Sequence, residues 1–120
     1  MDAAGPYGFT DNTGSIGNSF CRKNKSTGRV DFHFECTNMD VSKTALNTTF
    51  ATIPTKYRPN RNITVMGICW ETNTNSYIPV LIRITTSGSV MQIQSGSYKI
   101  TDIYFDAFWY TDFDDYTVVA

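Results

Sequence analysis

The sequence predicts an all-β fold, an antiparallel β-sandwich or jelly-roll-like single domain. Three observations carry this expectation. Charged residues make up only 18% of the chain, and the polar surface is written instead in Thr, Ser and Asn, which favour strands and turns over helix interiors. The stretch Arg29–Cys36 alternates strictly between apolar and polar residues. Short apolar runs recur at intervals of about ten residues, each closed by turn formers, which is the spacing of a sandwich or barrel. No window sustains a period of 3.6, and a chain of 120 residues has room for one core.

The first eighteen residues (1–18) are dominated by Gly, Asn, Thr, Asp and Pro and read as a linker or N-terminal arm. The domain is expected over 19–120. Val30, Phe32, Phe34 and Cys36 fall on one face of a strand and Asp31, His33 and Glu35 on the other, the signature of a half-buried antiparallel strand. Asn24–Gly28 supplies a turn before it, so Ser19–Lys23 and Arg29–Cys36 form a hairpin. Residues 37–49 are a polar connection with room for one helical turn. A short strand follows and stops at Pro54. Pro54 and Pro59 bracket Tyr57 and Arg58 and exclude a regular element between them. Ile63–Trp70 is apolar on both faces, which predicts a strand covered on each side. Tyr77–Thr85 is similar, with Pro79 marking a bulge or edge. Ser87-Gly88 turns tightly into Val90–Ile93, Ser95-Gly96 turns again, and Tyr104–Tyr110 is the last strand.

Composition argues against several functions. A net charge of −1 does not suit a nucleic-acid binder, whose phosphate contacts need clustered Lys and Arg. No apolar run approaches the roughly 20 residues that span a bilayer, so no membrane insertion is expected. The opening MDAAGPYGFTDNTG has neither a basic start nor an apolar stretch, and no signal peptide is expected there. Cys21, Cys36 and Cys69 are an odd set without C-x-x-C pairing. They read as buried thiols of a protein folded in a reducing compartment, although a Cys21–Cys36 bridge between neighbouring strands is an open alternative. Sequons at Asn24, Asn47 and Asn62 are the chance product of a chain rich in Asn and Thr.

Catalytic signals are missing. His33 is the only histidine and is expected to point outward, without the nucleophile and orienting acid of a triad. Asp102, Asp106, Asp112, Asp114 and Asp115 cluster in sequence, but the run lacks the glycine turn of a calcium loop, and an acidic, solvated tail describes it better than a carboxylate pair for glycoside hydrolysis. Neither phosphate-binding glycine motif occurs. No enzyme, metal or cofactor is expected. The positive feature is aromatic. Trp70, Tyr77, Trp109, Tyr110, Phe113 and Tyr116 lie at strand ends or loops among Asn73, Asn75, Asp112 and Asp114. Rings for CH stacking beside amides and carboxylates for hydroxyls suit a saccharide site, and the same rings would equally suit a core or a subunit contact. The candidate ligand-binding residues are Trp70, Asn73, Tyr77, Trp109, Tyr110 and Asp112.

Ile53-Pro54-Thr55-Lys56-Tyr57-Arg58-Pro59 resembles the IP-x-x-Y-R-P stretch of C-terminal head or shoulder domains in bacteriophage tail, baseplate and receptor-binding proteins. The order of the neighbouring features is similar too: Cys21-Arg22-Lys23 early, Ile84–Val90 as an I-x-T-x-G-x-V hairpin, and Phe108-Trp109-Tyr110 at the end of the final strand. The likeness covers about residues 19–110, and Thr111–Ala120 runs past the family's usual last strand. It implies a β-sandwich on a virion tail, usually homotrimeric, assembled in the bacterial cytoplasm among other virion proteins, and either recognising host cell-surface saccharide or acting as a structural connector. A carbohydrate-binding module of a secreted bacterial protein is the remaining alternative. Pro54, Tyr57, Arg58 and Pro59 are expected to form a rigid structural corner between sheets, with Tyr57 packed inward and Arg58 reaching a carboxylate or carbonyl. The linker-like start suggests a domain cut from a longer protein.

Overall fold

The computed structural model describes residues 2–3, 10–11 and 19–111. It consists of strands and turns with one short 3-10 turn. The strands are β1 (Asp2–Ala3), β2 (Thr10–Asp11), β3 (Phe20–Lys23), β4 (Arg29–Cys36), β5 (Ala51–Thr52), β6 (Ile63–Glu71), β7 (Ser76–Ile84), β8 (Ser89–Gln92) and β9 (Ile100–Tyr110). All pair antiparallel in a single sheet of order β1-β3-β4-β9-β6-β7-β8-β5-β2. The all-β class is therefore as expected. Where two stacked sheets were anticipated, one continuous ladder curls so that Phe34 on β4 meets Phe50 beside β5.

Hairpin chemistry sets much of this order. In the β3–β4 turn, Asn24 Oδ1 accepts from the backbone N–H groups of Ser26 and Thr27 at 3.0 and 3.3 Å. Gly28 takes the left-handed conformation at φ 75°, where a side chain would be strained. Gly88 does the same at φ 87° before β8, and a Cβ there would lie 2.5 Å from both Arg58 Nε and Ile53 O. β8 pairs with β7 only at Ile82–Ile84, so Pro79 occupies a stretch of β7 with β6 as its one ladder partner, in keeping with the edge position expected of a proline.

The concave face carries the core. Val30, Phe32, Phe34 and Cys36 from β4 meet Ile103, Phe105, Ala107 and Trp109 from β9. Phe34 stacks on Phe105 with centroids 5.2 Å apart and reaches across the curl to Phe50 at 5.4 Å. Phe50, Ile53, Ile82, Ile84 and Val90 complete the far side. Between β6 and β9 the sheet is tight at Gly67, where a Cβ would sit 2.9 Å from Tyr104 O and 3.0 Å from Phe105 Cβ. Both obstacles are rigid, and glycine is the residue that lets the strands approach. Cys21, Cys36 and Cys69 are buried thiols that form no disulfide with one another. Burial, followed by the nearby Asp31 charge, pushes Cys21 up to about 12, and burial followed by Glu71 pushes Cys69 up to about 11.

The proline-bracketed segment closes the open end of the curl. Pro54 leads into a 3-10 turn at Thr55–Tyr57, a short regular element where the two prolines were expected to exclude one. A single turn of this kind needs only i→i+3 bonds, and Tyr57 N–H to Pro54 O at 3.0 Å supplies one. Tyr57 and Pro59 are buried, and Arg58 Nε donates to Ile53 O at 2.8 Å. The corner is thus fastened to itself through a carbonyl, with β3 and β9 on its inner side: Lys23 Nζ donates to Lys56 O at 3.4 Å and Trp109 Nε1 donates to Tyr57 O at 2.7 Å.

Two further expectations change. Residues 37–49 form successive turns rather than a helical turn. Asp40 Oδ1 accepts from the Ser42 backbone N–H and hydroxyl at 2.9 and 2.8 Å, and the buried Thr44 hydroxyl donates to Ile100 O at 2.8 Å. These local acceptors compete with helical bonding. Second, β6 is covered on one face only. Gly67, Cys69 and Glu71 point inward, while Met66 is 60% and Ile68 51% exposed.

Candidate functional site

The outward face of β9, β6 and β7 carries an apolar, aromatic surface built by strand register. Trp70 stands directly opposite Tyr77 on one side and Asp102 on the other. In the next row Ile68 lies between Pro79 and Tyr104. Tyr77 therefore sits within reach of two rings. Its centroid is 4.9 Å from that of Trp70, edge to face, and 6.3 Å from that of Tyr104, within the range of favourable aromatic pairs. Tyr77 is 58% exposed and Trp70 half-buried. The Tyr104 hydroxyl lies 3.4 Å from Asp102 Oδ2. Partial burial and then the Asp102 charge raise this phenol above its ordinary value, so it remains a neutral hydroxyl at physiological pH.

A buried carboxylate at the end of β6 braces this surface. Glu71 Oε1 accepts from Thr74 N–H and Oε2 from Lys99 N–H, both at 2.8 Å. One oxygen pins the β6–β7 turn, in which Asn75 adopts φ 53°, and the other ties that turn to the approach of β9. Trp70 and Tyr77 flank the turn and inherit its position. The Lys99 bond, opposed by burial and aided by bonds from Thr74 and Asn73, holds the Glu71 carboxyl below its ordinary value of 4.5. A depressed folded value means that this contribution to stability is present above the unfolded value and disappears as pH falls through the folded one. Glu71→Gln is accordingly expected to lower the melting temperature at neutral pH and to flatten the loss of stability as pH falls below 4.5, as followed by thermal melts at falling pH.

The sequence-derived candidates separate. Trp70 and Tyr77 are together. Asn73 is exposed in the same turn, but its amide donates to Ser97 O at 3.0 Å, so it braces a loop beside the rings. Tyr110 is 56% exposed on the same outward phase of β9, six residues beyond Tyr104, or about 20 Å along an extended strand. It neighbours Phe108 there, with centroids 6.4 Å apart. Trp109 requires correction: it is 5% exposed, its ring packs edge-on to Phe32, and its indole N–H is spent on Tyr57 O. A residue adjacent to Tyr110 on a strand must point to the opposite face, and that face is the core. Asp112, Phe113, Asp114, Asp115 and Tyr116 lie outside the described residues. The surface also contains Tyr104, Ile68 and Met66, none of them among the candidates. Their signal was the alternation of β6 and β9, in which small Gly67 and Cys69 mark the inward phase and charged Asp106 the outward one.

A second feature lies on the outward face of β3, β4 and β9. A shallow concavity of about 190 Å³ is lined by Phe20, Arg29, Asp31, His33, Asp106 and Phe108, over the backbone of Phe32 and Ala107. Arg29 binds Asp31 at 3.0 Å and lies 4.3 Å from the Phe108 ring centre, while Arg22 lies 3.7 Å from that of Phe20. Both guanidinium groups thus occupy ring faces. At its edge His33 is held by two carboxylates, Asp106 and Glu35. Both ring nitrogens of His33 therefore face a carboxylate oxygen. Among the described residues, no group of three His, Cys, Asp or Glu side chains is arranged to hold a metal ion.

No family model matches the chain, and no curated protein matches it. The likeness to phage tail domains rests on the sequence features given above.

Proposed function

We propose that this chain is a non-catalytic domain of a bacteriophage virion, carried on a tail fibre or baseplate, that recognises host cell-surface saccharide through the outward face around Trp70, Tyr77 and Tyr104. One observation carries the reading: three aromatic rings stand side by side on paired strands, partly bare, with a carboxylate and a phenol hydroxyl at their border. Rings held on strands lose little freedom on binding, and a sugar's CH face can lie on them while its hydroxyls reach Asp102 and Tyr104. The phage context comes from the resemblance centred on Ile53–Pro59. A homotrimer, assembled in the bacterial cytoplasm with other virion proteins, belongs to the same proposal.

The second reading is a structural connector, for which Met66 and Ile68 speak. Bare aliphatic side chains beside the rings suit a protein contact better than a sugar. Tyr77→Ala separates the two, because Tyr77 is exposed and its loss leaves the core intact. Retention of the domain on immobilised bacterial envelope polysaccharides is expected to weaken by about tenfold or more, the 1.4 kcal/mol scale of a binding hot spot, with the melting temperature nearly unchanged. Retention by no envelope fraction, together with self-association lost in Met66→Asp, would favour the connector.

A further inference from the structure

We propose that His33 is a proton-operated latch, which ties β4 to β9 through Asp106 while it carries two ring protons and releases Asp106 when it carries one. His33 Nδ1 is 2.6 Å from Asp106 Oδ1 on the facing strand, and Nε2 is 2.9 Å from Glu35 Oε1 two residues along its own strand. Carboxylates only accept, so both bonds exist together only if both ring nitrogens donate. The doubly protonated ring satisfies this. A singly protonated ring turns a lone pair toward one carboxylate, and that contact must open.

Asp106 is the partner that leaves. Its side chain is 79% exposed against 37% for Glu35, so water replaces the lost bond readily. Phe20 on β3 stacks over the imidazole with centroids 5.5 Å apart and keeps the ring in place. The charged groups on the same outward face are Arg22 on β3, Arg29, Asp31 and Glu35 on β4, and Asp106 on β9; Arg29 is paired with Asp31, and the two carboxylates that touch the ring favour the proton. Partial burial disfavours the charged ring, but the hydrogen bonds to Asp106 and then Glu35 outweigh it and raise His33 above its ordinary 6.5. Because the folded value is raised, the latch contributes its full stability below the unfolded value and loses it as pH rises through the folded one. Release frees the Asp106 carboxylate at the edge of the concavity, beside Asp31 and Phe108. The latch is independent of the saccharide reading, which concerns another part of the sheet.

Nitrogen-resolved NMR of the imidazole in the full chain tests this. The expected result is a titration midpoint above 6.5, so that at this pH the doubly protonated ring is the majority form. Asp106→Asn is expected to move the midpoint down, and Glu35→Gln provides the same test from the other carboxylate should the first variant not fold. The fall in stability that accompanies the titration should vanish in His33→Gln. A midpoint at or below 6.5 in the unmodified chain, or one that neither carboxylate substitution moves, overturns the latch.

Discussion

Trp109→Ala is expected to destabilise the domain by about 3–5 kcal/mol, the range for removing a large aromatic from a core, measured as a shift in the midpoint of urea unfolding. Trp109 is 5% exposed and does two things at once. Its ring fills the open end of the curl against Phe32, and its indole N–H satisfies the carbonyl of Tyr57. Alanine leaves a cavity and also removes the 2.7 Å bond to that carbonyl, so loss of packing and loss of the bond add. Trp109→Phe separates them. Phenylalanine keeps most of the filling and removes the donor, for an expected cost of about 1–3 kcal/mol. Were Trp109 part of an exposed binding surface, both substitutions would leave unfolding almost unaffected and would change ligand retention instead.

The second large effect is expected at Phe34. Its ring is fully buried and meets Phe105 on the neighbouring strand, Phe32 on its own, and Phe50 on the opposite side of the curl. Phe34→Ala should cost about 3–5 kcal/mol, again by urea unfolding. The Phe50 contact makes the substitution informative about architecture. In a flat sheet Phe50, which precedes β5, would lie several strands away from β4. A double-mutant cycle between Phe34 and Phe50 is therefore expected to show coupling of about 0.5–1.5 kcal/mol, the value of an aromatic pair beyond its burial.

Much of this architecture was legible because alternation is a local signal. Asp31, His33 and Glu35 fix the phase of β4, and the β3–β4 hairpin follows from Asn24–Gly28. The proline-bracketed corner was legible in role, since Tyr57 is apolar enough to bury and Arg58 finds a nearby carbonyl. What was not legible depends on strands distant in sequence. Thr64, Met66, Ile68 and Trp70 look as apolar as a covered face, and nothing local says that no element packs over them. Trp109 and Tyr110 are neighbours with similar rings, yet Asp106 three residues earlier already assigns Trp109 to the inward phase. Placing both in one site ignored that alternation. Glu71 reads as an ordinary acidic residue at a strand end. Its importance comes from the Lys99 N–H, 28 residues away in sequence, which only the folded sheet brings near.

The central claim is that the bare aromatic face at Trp70, Tyr77 and Tyr104 is the working surface of the domain. The chain has two tryptophans, one on that face and one in the core, so Trp109→Phe leaves Trp70 as a sole fluorescent reporter. Titration of that variant with fractionated bacterial envelope polysaccharides is expected to produce a saturable change in Trp70 emission, abolished or weakened about tenfold by Tyr77→Ala. Saturable binding that leaves Trp70 emission unchanged and is indifferent to Tyr77, or no binding to any envelope polysaccharide, would contradict the claim.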